Sequence, residues 1–362
     1  MSVVVVKLGS SVVAEDSGEL RAPEVARVCA EVAELQAAGT NVVIVTSGAI
    51  ARGMHILGLP ARPTGIEQLQ GASAVGQGRL YRTYDDLLSE RGVQTAQVLL
   101  TFFDMSARTH YLNARRTLQA LLDWRIVPVI NENDTTTTDE ISFGDNDFLA
   151  AQVAVLLQAR LLVLLTQPSG VFSADPRLDP GARLIEEITD FETLDAQVGH
   201  TMSALGSGGM RSKVVAAEMA TAAGIETIIC SGFEPGSLLR AAAGERVGTR
   251  CLPRSLGISS FKLWLRYAKP SHGRVLVDAG AERALRDGAA SLLPVGITAV
   301  EGDFDAGDAV DVVGGGPRIG KGICNYSADE LRQVAGRKSS AVRQILRSAT
   351  DEAVHRDYFV LD

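Results

Sequence analysis

The sequence predicts an α/β fold, a mainly parallel sheet sandwiched by helices, followed by a small β-rich barrel domain. Apolar runs of strand length recur along the first part of the chain, at residues 3–8, 41–46, 93–100, 126–130, 161–166 and 226–230. Helical segments separate these runs, and strands that are apolar throughout are typical of a parallel sheet covered on both faces. After residue 244 the pattern changes to short strands with frequent glycines, which indicates a second, partly open barrel.

The first elements follow from local patterns. The β-branched run at residues 3–8 ends in the turn residues 9–11, as expected for a strand followed by a turn. The next segment has apolar residues at helical spacing and stops at a glycine: Val25, Val28, Val32, Leu35 and Gly39. Residues 41–46 form the second predicted strand, and Ser47 is expected to be the N-cap of the helix that follows.

The domain organisation follows from the same change in composition. Residues 245–255 are rich in Arg, Gly and Pro, which is typical of a linker. We predict an α/β domain at residues 1–252, a linker at 253–271 and a small β-rich domain with a C-terminal tail at 272–362. Strands of the last domain are predicted at residues 275–277, 296–300, 309–313 and 320–324, with one helix at 327–335.

Composition limits the classes of function. The formal net charge of −8 makes the whole chain a poor counterion for nucleic acid or an anionic membrane. No apolar run is long enough to span a membrane, and no basic leader precedes residues 3–6, so we expect no signal peptide. The four cysteines are far apart, which favours free thiols in a reducing cytoplasm. The histidines lack metal-ligand spacing, so no metal site is predicted.

Polar segments follow several predicted strands, where parallel sheets bind their ligands. Lys7 precedes a glycine turn that can hold an anion, although a lysine that merely ends a strand explains the pattern equally well. The pair Ser47 and Gly48, taken alone, is better explained by helix capping.

Residues 131–134 place four polar side chains directly after a buried strand, which is costly unless a partner satisfies them. Residues 144–147 form a glycine turn with three polar side chains at the start of an apolar helix. Asp145 or Asn146 could simply cap that helix. We favour a role for both segments in holding the amino or carboxylate group of a small ligand.

Residues 206–213 form a glycine-rich loop that ends in Lys213 and opens a predicted helix at residues 214–223. Free backbone amides and a lysine together can bind phosphate, although the phosphate-loop motif of nucleotide hydrolases and the dinucleotide-binding motif are both absent. A flexible loop without a ligand is the less favoured explanation. Residue chemistry alone therefore indicates an α/β enzyme with two anion-binding sites.

The order of these motifs along the chain resembles the amino acid kinase family. Within that family it is most similar to the enzymes that phosphorylate the γ-carboxylate of L-glutamate in the first step of proline biosynthesis. The segments that carry the resemblance are residues 5–11, 43–50, 126–134, 144–147, 174–177, 208–213 and 353–357. The C-terminal part is similar to a PUA domain. Phosphorylation of aspartate or N-acetylglutamate, or RNA binding through the C-terminal domain, are the alternatives.

The resemblance implies roles for particular residues. Lys7 and Lys213 would neutralise charge on the transferred phosphoryl group, and Asp147 would orient them, which makes these three the expected catalytic residues. The expected substrate-binding residues are Ser47, Gly48, Asn131, Asp134 and Asn146. The expected ATP-binding residues are Lys7, Gly9, Thr166, Gln167, Ser207, Gly208, Gly209, Met210, Arg211, Ser212 and Lys213.

The resemblance also implies ATP and Mg²⁺ as cofactors, L-glutamate as substrate, feedback inhibition by proline, and a homo-oligomer. A carboxylate nucleophile is already ionised at neutral pH, so the sequence need not supply a general base. Two positions depart from the family pattern. Gln167 stands where the family usually has Asp, and Phe148 stands where a polar residue is common.

Overall fold

The computed structural model describes residues 2–101, 104–105, 108–136, 145–191, 194, 209–254, 260–267, 269, 271–288, 290–346 and 350–362. The chain forms two compact units, residues 1–257 and residues 258–362. Among the described residues, no helix is long and apolar enough to cross a membrane.

The first unit is built on one eight-stranded sheet. Its strands are β1 (Val3–Leu8), β2 (Asn41–Val45), β3 (Thr95–Leu100), β4 (Val127–Glu132), β5 (Leu161–Thr166), β6 (Glu187–Ile188), β7 (Glu226–Ser231) and β8 (Thr249–Cys251). Its helices are α1 (Ser10–Val13), α2 (Ala22–Ala37), α3 (Ala49–Leu57), α4 (Ile66–Ser89), α5 (Arg108–Asp123), α6 (Asp145–Leu157), α7 (Gly209–Ala222) and α8 (Ser237–Ala242).

The strand order is β3-β4-β2-β1-β5-β7-β8-β6, and every described pairing is parallel except that of β7 with β8. The central strand β1 is buried along its whole length. Val4 and Val6 pack into a core with Val25 and Val32 of α2. Because side chains alternate along a strand, Lys7 lies on the opposite face, where α6 contacts β1. The predicted parallel sheet, covered by helices on both faces, is confirmed.

Helices α3 and α4 approach each other closely because glycines lie where they touch. A Cβ atom added to Gly53 would lie 1.7 Å from the carbonyl oxygen of Ala72, and one added to Gly76 would lie 1.9 Å from that of Ala49. No side chain fits at either position without moving the helices apart. This contact fixes α4 against α3, which begins directly after Ser47 and Gly48.

Two local predictions are wrong. The segment 245–255, predicted as a linker, contains β8, whose Thr249 and Cys251 are buried. The Thr249 hydroxyl donates to the Ile185 carbonyl at 2.6 Å and accepts from the Val171 amide at 2.8 Å, so this short strand is held by tertiary contacts. The N-cap of α3 is Gly48, in a left-handed conformation (φ 101°), and no side chain caps the helix. Ser47 therefore does not act as the predicted cap.

The second unit contains a five-stranded sheet in the order β10-β9-β11-β12-β13, with one parallel pairing, between β9 and β11. Its strands are β9 (Ser271–Val277), β10 (Ile297–Gly302), β11 (Ala309–Val313), β12 (Arg318–Cys324) and β13 (Val354–Leu361). Its helices are α9 (Ser260–Tyr267), α10 (Ala279–Arg286), α11 (Ala328–Val334) and α12 (Ser339–Ile345).

Four of these five strands and the helix at residues 327–335 were predicted. Ser327 caps α11 in a capping box with Glu330, which explains why that helix was recognisable in the sequence. Strand β13 was not predicted, because exposed polar residues interrupt its apolar pattern. The helix α9 occupies part of the predicted linker 253–271, and the proposed boundaries at 252 and 272 stay a prediction.

Candidate active site

The candidate site lies at the carboxyl ends of four adjacent strands, β4, β2, β1 and β5. Lys7 near the end of β1 is in register with Val45 of β2 and with Leu164 of β5. The Thr46 amide donates to the Ile130 carbonyl at 2.9 Å, which aligns the ends of β2 and β4. The four polar segments that follow these strands are far apart in sequence, but all of them leave the sheet at the carboxyl ends of its strands.

Lys7, Asp147 and Lys213 form a buried ionic cluster on one face of the sheet. The Nζ atom of Lys7 lies 2.6 Å from Oδ1 of Asp147, and the Nζ atom of Lys213 lies 3.0 Å from Oδ2. The exposed fraction of these side chains is 4%, 1% and 8% for Lys7, Asp147 and Lys213. Two ammonium groups thus share one carboxylate, and the cluster carries one net positive charge in a nearly dry setting.

The first turns of two helices that pack against each other supply two members of this cluster. Asp147 lies at the start of α6, and Lys213 lies one turn into α7. Lys213 also donates to the carbonyl of Gly209 at 2.9 Å, and the hydroxyl of Ser212 donates to Oδ2 of Asp147 at 2.7 Å. These bonds hold Lys213 and the carboxylate of Asp147 in place.

Burial and charge act against each other in this cluster. Burial lowers the pKa of Lys7 from 10.5 to about 8, although the neighbouring Asp147 carboxylate opposes the change. Burial alone would raise the pKa of Asp147, but Lys7 and Lys213 outweigh it and hold that pKa below its ordinary value. Asp147 is therefore ionised at neutral pH, and Lys7 keeps its proton there by a small margin.

Gly9 lets the turn after β1 pass close to β5. Its amide donates to the carbonyl of Leu165 at 3.1 Å, and a Cβ atom at this position would lie 3.2 Å from the same oxygen. A larger residue would push the turn away from β5 and from Thr166, whose carbonyl accepts from the Gly232 amide at 2.8 Å.

A second group of buried polar residues lies at the ends of β4 and β2. The Ser73 hydroxyl donates to Oδ2 of Asp134 at 2.6 Å, and the side-chain amide of Asn131 donates to Oε1 of Gln77. Burial raises the pKa of Asp134, and the bond from Ser73 and the charge of Arg62 offset part of that rise.

The loop after β2 is held by α4, the helix that also carries Ser73 and Gln77. The hydroxyl groups of Thr46 and Tyr84 lie 2.7 Å apart, both buried. In the loop that follows, Gly48 packs against Val13, and a Cβ atom added to Gly48 would lie 3.2 Å from Cγ1 of Val13.

The structure brings most of the predicted site residues to this edge. Thr166 is buried at the end of β5, and Gln167 beside it is exposed. In the first turn of α7, Gly209 and Met210 are partly exposed, Arg211 is exposed, and Ser212 is buried. Gly144, Ser207 and Gly208 lie outside the described residues.

Asn146 is half-buried at the start of α6, and its Oδ1 atom is buried without a hydrogen-bond partner among the described residues.

Asp175, from a segment that carried the resemblance, binds Arg177 through both carboxylate oxygens. That pair is a local turn contact, because the two residues are neighbours in sequence.

Sequence reasoning missed the contribution of α4. Ser73, Gln77 and Tyr84 lie at spacings of four and seven, so they share one face of the helix. Each contacts a segment at the carboxyl end of β2 or β4. Polar residues at helical spacing with the buried Leu80 were the available signal, but their partners lie 38 to 61 residues away along the chain.

Comparison with known proteins identifies the family. Residues 2–231 match the amino acid kinase family, and residues 273–346 match the PUA domain. The chain belongs to the amino acid kinase family. It is 44% identical over 361 residues to glutamate 5-kinase from Burkholderia multivorans, an alignment that covers 99% of this chain and 97% of that protein. It is 45% identical to glutamate 5-kinase from Chromohalobacter salexigens, with 99% and 95% covered. Within the family it therefore falls in the glutamate 5-kinase group.

The structure is also similar to the crystal structure of UMP kinase from Bacillus anthracis. The TM-score is 0.49 at 16% identity, over 70% of this chain and 97% of that chain.

Proposed function

We propose that this chain transfers the γ-phosphoryl group of ATP to the γ-carboxylate of L-glutamate, which yields L-glutamyl 5-phosphate for proline biosynthesis. The observation that carries the proposal is the buried cluster of Lys7, Asp147 and Lys213 at the carboxyl edge of the sheet. The identity of the acceptor follows from the glutamate 5-kinase relatives, which match nearly the whole chain.

The proposed reaction needs charge neutralisation more than proton transfer. A carboxylate oxygen of glutamate forms a bond to the γ-phosphorus, and the bond from that phosphorus to the bridging oxygen breaks. The electron pair of the broken bond leaves with ADP, and no proton moves because the nucleophile is already ionised. Lys7 and Lys213 place two ammonium groups where two anions must meet, and Asp147 holds both in position.

The remaining predicted residues divide between the two substrates. Nucleotide phosphates would contact the turn at Gly9 and the first turn of α7, where backbone amides and Lys213 are available. The adjacent segment at Thr166 and Gln167 would contact the nucleoside. Glutamate would contact five residues at the ends of β2 and β4 and the start of α6: Ser47, Gly48, Asn131, Asp134 and Asn146.

The charges at the site also indicate how magnesium would be bound. Both oxygens of Asp147 lie on ammonium groups, and among the described residues no cluster of three or more His, Cys, Asp or Glu could hold a metal. Mg²⁺ would therefore arrive with ATP, coordinated mainly by phosphate oxygens and water, and would neutralise phosphate charge.

The test is an acceptor screen with ATP, Mg²⁺ and hydroxylamine, in which an acyl phosphate is trapped as a hydroxamate. We expect hydroxamate with L-glutamate, and little with L-aspartate or N-acetylglutamate. Omission of ATP is the matched control. Hydroxamate formation from either other acceptor without formation from glutamate would overturn the proposed substrate.

The second unit is a poor candidate for RNA binding. Residues 258–362 carry 14 Lys and Arg and 14 Asp and Glu, a net charge of zero. Phosphate-driven affinity needs a basic excess, so a structural or regulatory role is favoured. Tight RNA binding that weakens with salt in a gel-shift assay would favour the alternative.

We also propose that proline inhibits by competing for the glutamate pocket, that the protein forms a homo-oligomer, and that it acts in the cytoplasm. Glutamate kinetics measured with millimolar proline test the inhibition, and light scattering tests the oligomeric state. An unchanged glutamate KM in proline, or a monomer in solution, would contradict them.

A further inference from the structure

One face of α4 contacts both polar segments at the proposed acceptor pocket. Ser73 and Gln77 are one helical turn apart, and they bind Asp134 and Asn131 respectively, which are three residues apart at the carboxyl end of β4. Seven residues beyond Gln77, the fully buried Tyr84 contacts Thr46 at the end of β2. Gly76 locks this stretch of α4 against α3, so the helix is a rigid support.

The bond from Asn131 to Gln77 leaves one atom of the amide without a partner. Asn131 is 2% exposed, its Nδ2 donates to Oε1 of Gln77, and its Oδ1 has no hydrogen-bond partner among the described residues. A buried acceptor without a donor is costly. A ligand that supplies an N–H or O–H group would satisfy this oxygen.

Asp134 supplies a second acceptor in the same segment. Its Oδ2 accepts from Ser73, and the buried carboxylate is only partly offset by that bond and by the charge of Arg62. An amide oxygen and a carboxylate together suit a group that donates several hydrogen bonds and accepts none. The α-ammonium group of an amino acid is such a donor.

We propose that Gln77 and Ser73 are positioning residues that orient Asn131 and Asp134 for recognition of the free α-ammonium group of the acceptor. This inference rests on the proposed function, because it assumes an amino acid acceptor in this pocket. It predicts that the enzyme selects glutamate over acceptors of similar length that lack an ammonium group. Gln77 acts by accepting from Asn131, which keeps Oδ1 of Asn131 turned toward the ligand.

Substitutions at Gln77 test whether this side chain must accept a hydrogen bond from Asn131 or could donate one instead. Gln77→Glu retains an acceptor, and it should keep the amide of Asn131 in place. Gln77→Leu removes the acceptor with little change in volume, and Gln77→Lys offers only donors, which would turn the amide the other way. The matched control is Gln68→Leu, the same change on an exposed position of α4.

The experiment measures glutamate KM, ATP KM and kcat, together with the Ki of glutarate as a competitive inhibitor. Glutarate has both carboxylates of glutamate but no ammonium group. We expect Gln77→Leu and Gln77→Lys to raise glutamate KM by about 10- to 100-fold, the loss of one charge-assisted hydrogen bond. ATP KM, kcat and glutarate Ki should stay within about twofold, because only ammonium binding is lost.

Gln77→Glu and Gln68→Leu are expected to keep glutamate KM within about threefold of wild type, since one retains the acceptor and the other lies outside the pocket. Ser73→Ala should raise glutamate KM while leaving glutarate Ki unchanged, through the looser carboxylate of Asp134. The proposal is overturned if Gln77→Leu binds glutamate normally, or if it weakens glutarate as much as glutamate. Absence of hydroxamate with glutamate in wild type would instead refute the proposed function.

Discussion

Replacing Asp147 by Asn tests whether the buried cluster acts through charge. The substitution keeps the shape of the side chain but removes the counter-charge from two ammonium groups at 2.6 and 3.0 Å. At an effective dielectric constant of about 20, each attraction is worth about 6 kcal/mol. The pKa of Lys7 is already lowered by burial to about 8, and losing even part of this attraction would take it well below 7.

Lys7 would then be neutral at pH 7, and the phosphoryl group would lose one of its two cations. We expect kcat with glutamate to fall by about 100- to 1,000-fold at pH 7, the usual effect of losing one transition-state donor. The direction of the pH dependence follows from the lysine. Activity of the variant should recover as the pH is lowered and Lys7 regains its proton.

The assay is hydroxamate formation under saturating ATP and glutamate between pH 5.5 and 9, with circular dichroism to verify folding. Asp86→Asn is the control, because it makes the same chemical change in an exposed ion pair with Arg82. A kcat within threefold of wild type at pH 7, or a variant whose activity rises with pH, would refute this account of the cluster.

Three further results are expected. In wild type, kcat/KM should fall as the pH rises through about 8, because Lys7 of the free enzyme loses its proton there. A flat pH profile up to pH 9.5 would contradict this. Lys213→Met should lower kcat by about 100-fold or more in the hydroxamate assay, and near-normal turnover would remove its assigned role. In urea unfolding, Gly53→Ala should destabilise the fold by about 3 kcal/mol or more, because the new Cβ atom meets Ala72. Gly71→Ala, where a Cβ atom has open space on α4, should instead stabilise the fold by up to about 1 kcal/mol.

The sequence predicted the parts of the fold that have strong local signals. Strand β1 is apolar except at Lys7 and strand β5 is apolar except at Thr166, and their predicted bounds agree with the structure. Helix α11 carries a capping box that specifies its start. Strand β8 could not be predicted in this way. Three residues have no periodicity, and Thr249 is fixed there by bonds to residues more than 60 positions away.

For the site, individual motifs in the sequence indicated an anion-binding α/β enzyme, and their order indicated the amino acid kinase family. The family came from a resemblance in motif order, whereas the anion-binding prediction came from the chemistry that each segment carries alone, such as the glycine turn after Lys7. Sequence could not show that Lys7 and Lys213 share Asp147, since the three residues come from different elements. For Ser73 and Gln77 it offered only their helical spacing with the buried Leu80, and polar side chains on a helix are ordinary until their partners are known.

The division has one physical reason. Strand and helix formation, caps and glycine turns depend on neighbours within a few residues, so the sequence by itself determined the alternating α/β pattern, the two-part organisation and the polar strand ends. Contacts between segments depend on how strands are ordered and how closely helices pack. Only the tertiary structure decided that one carboxylate holds two lysines and that one face of α4 contacts Asn131 and Asp134.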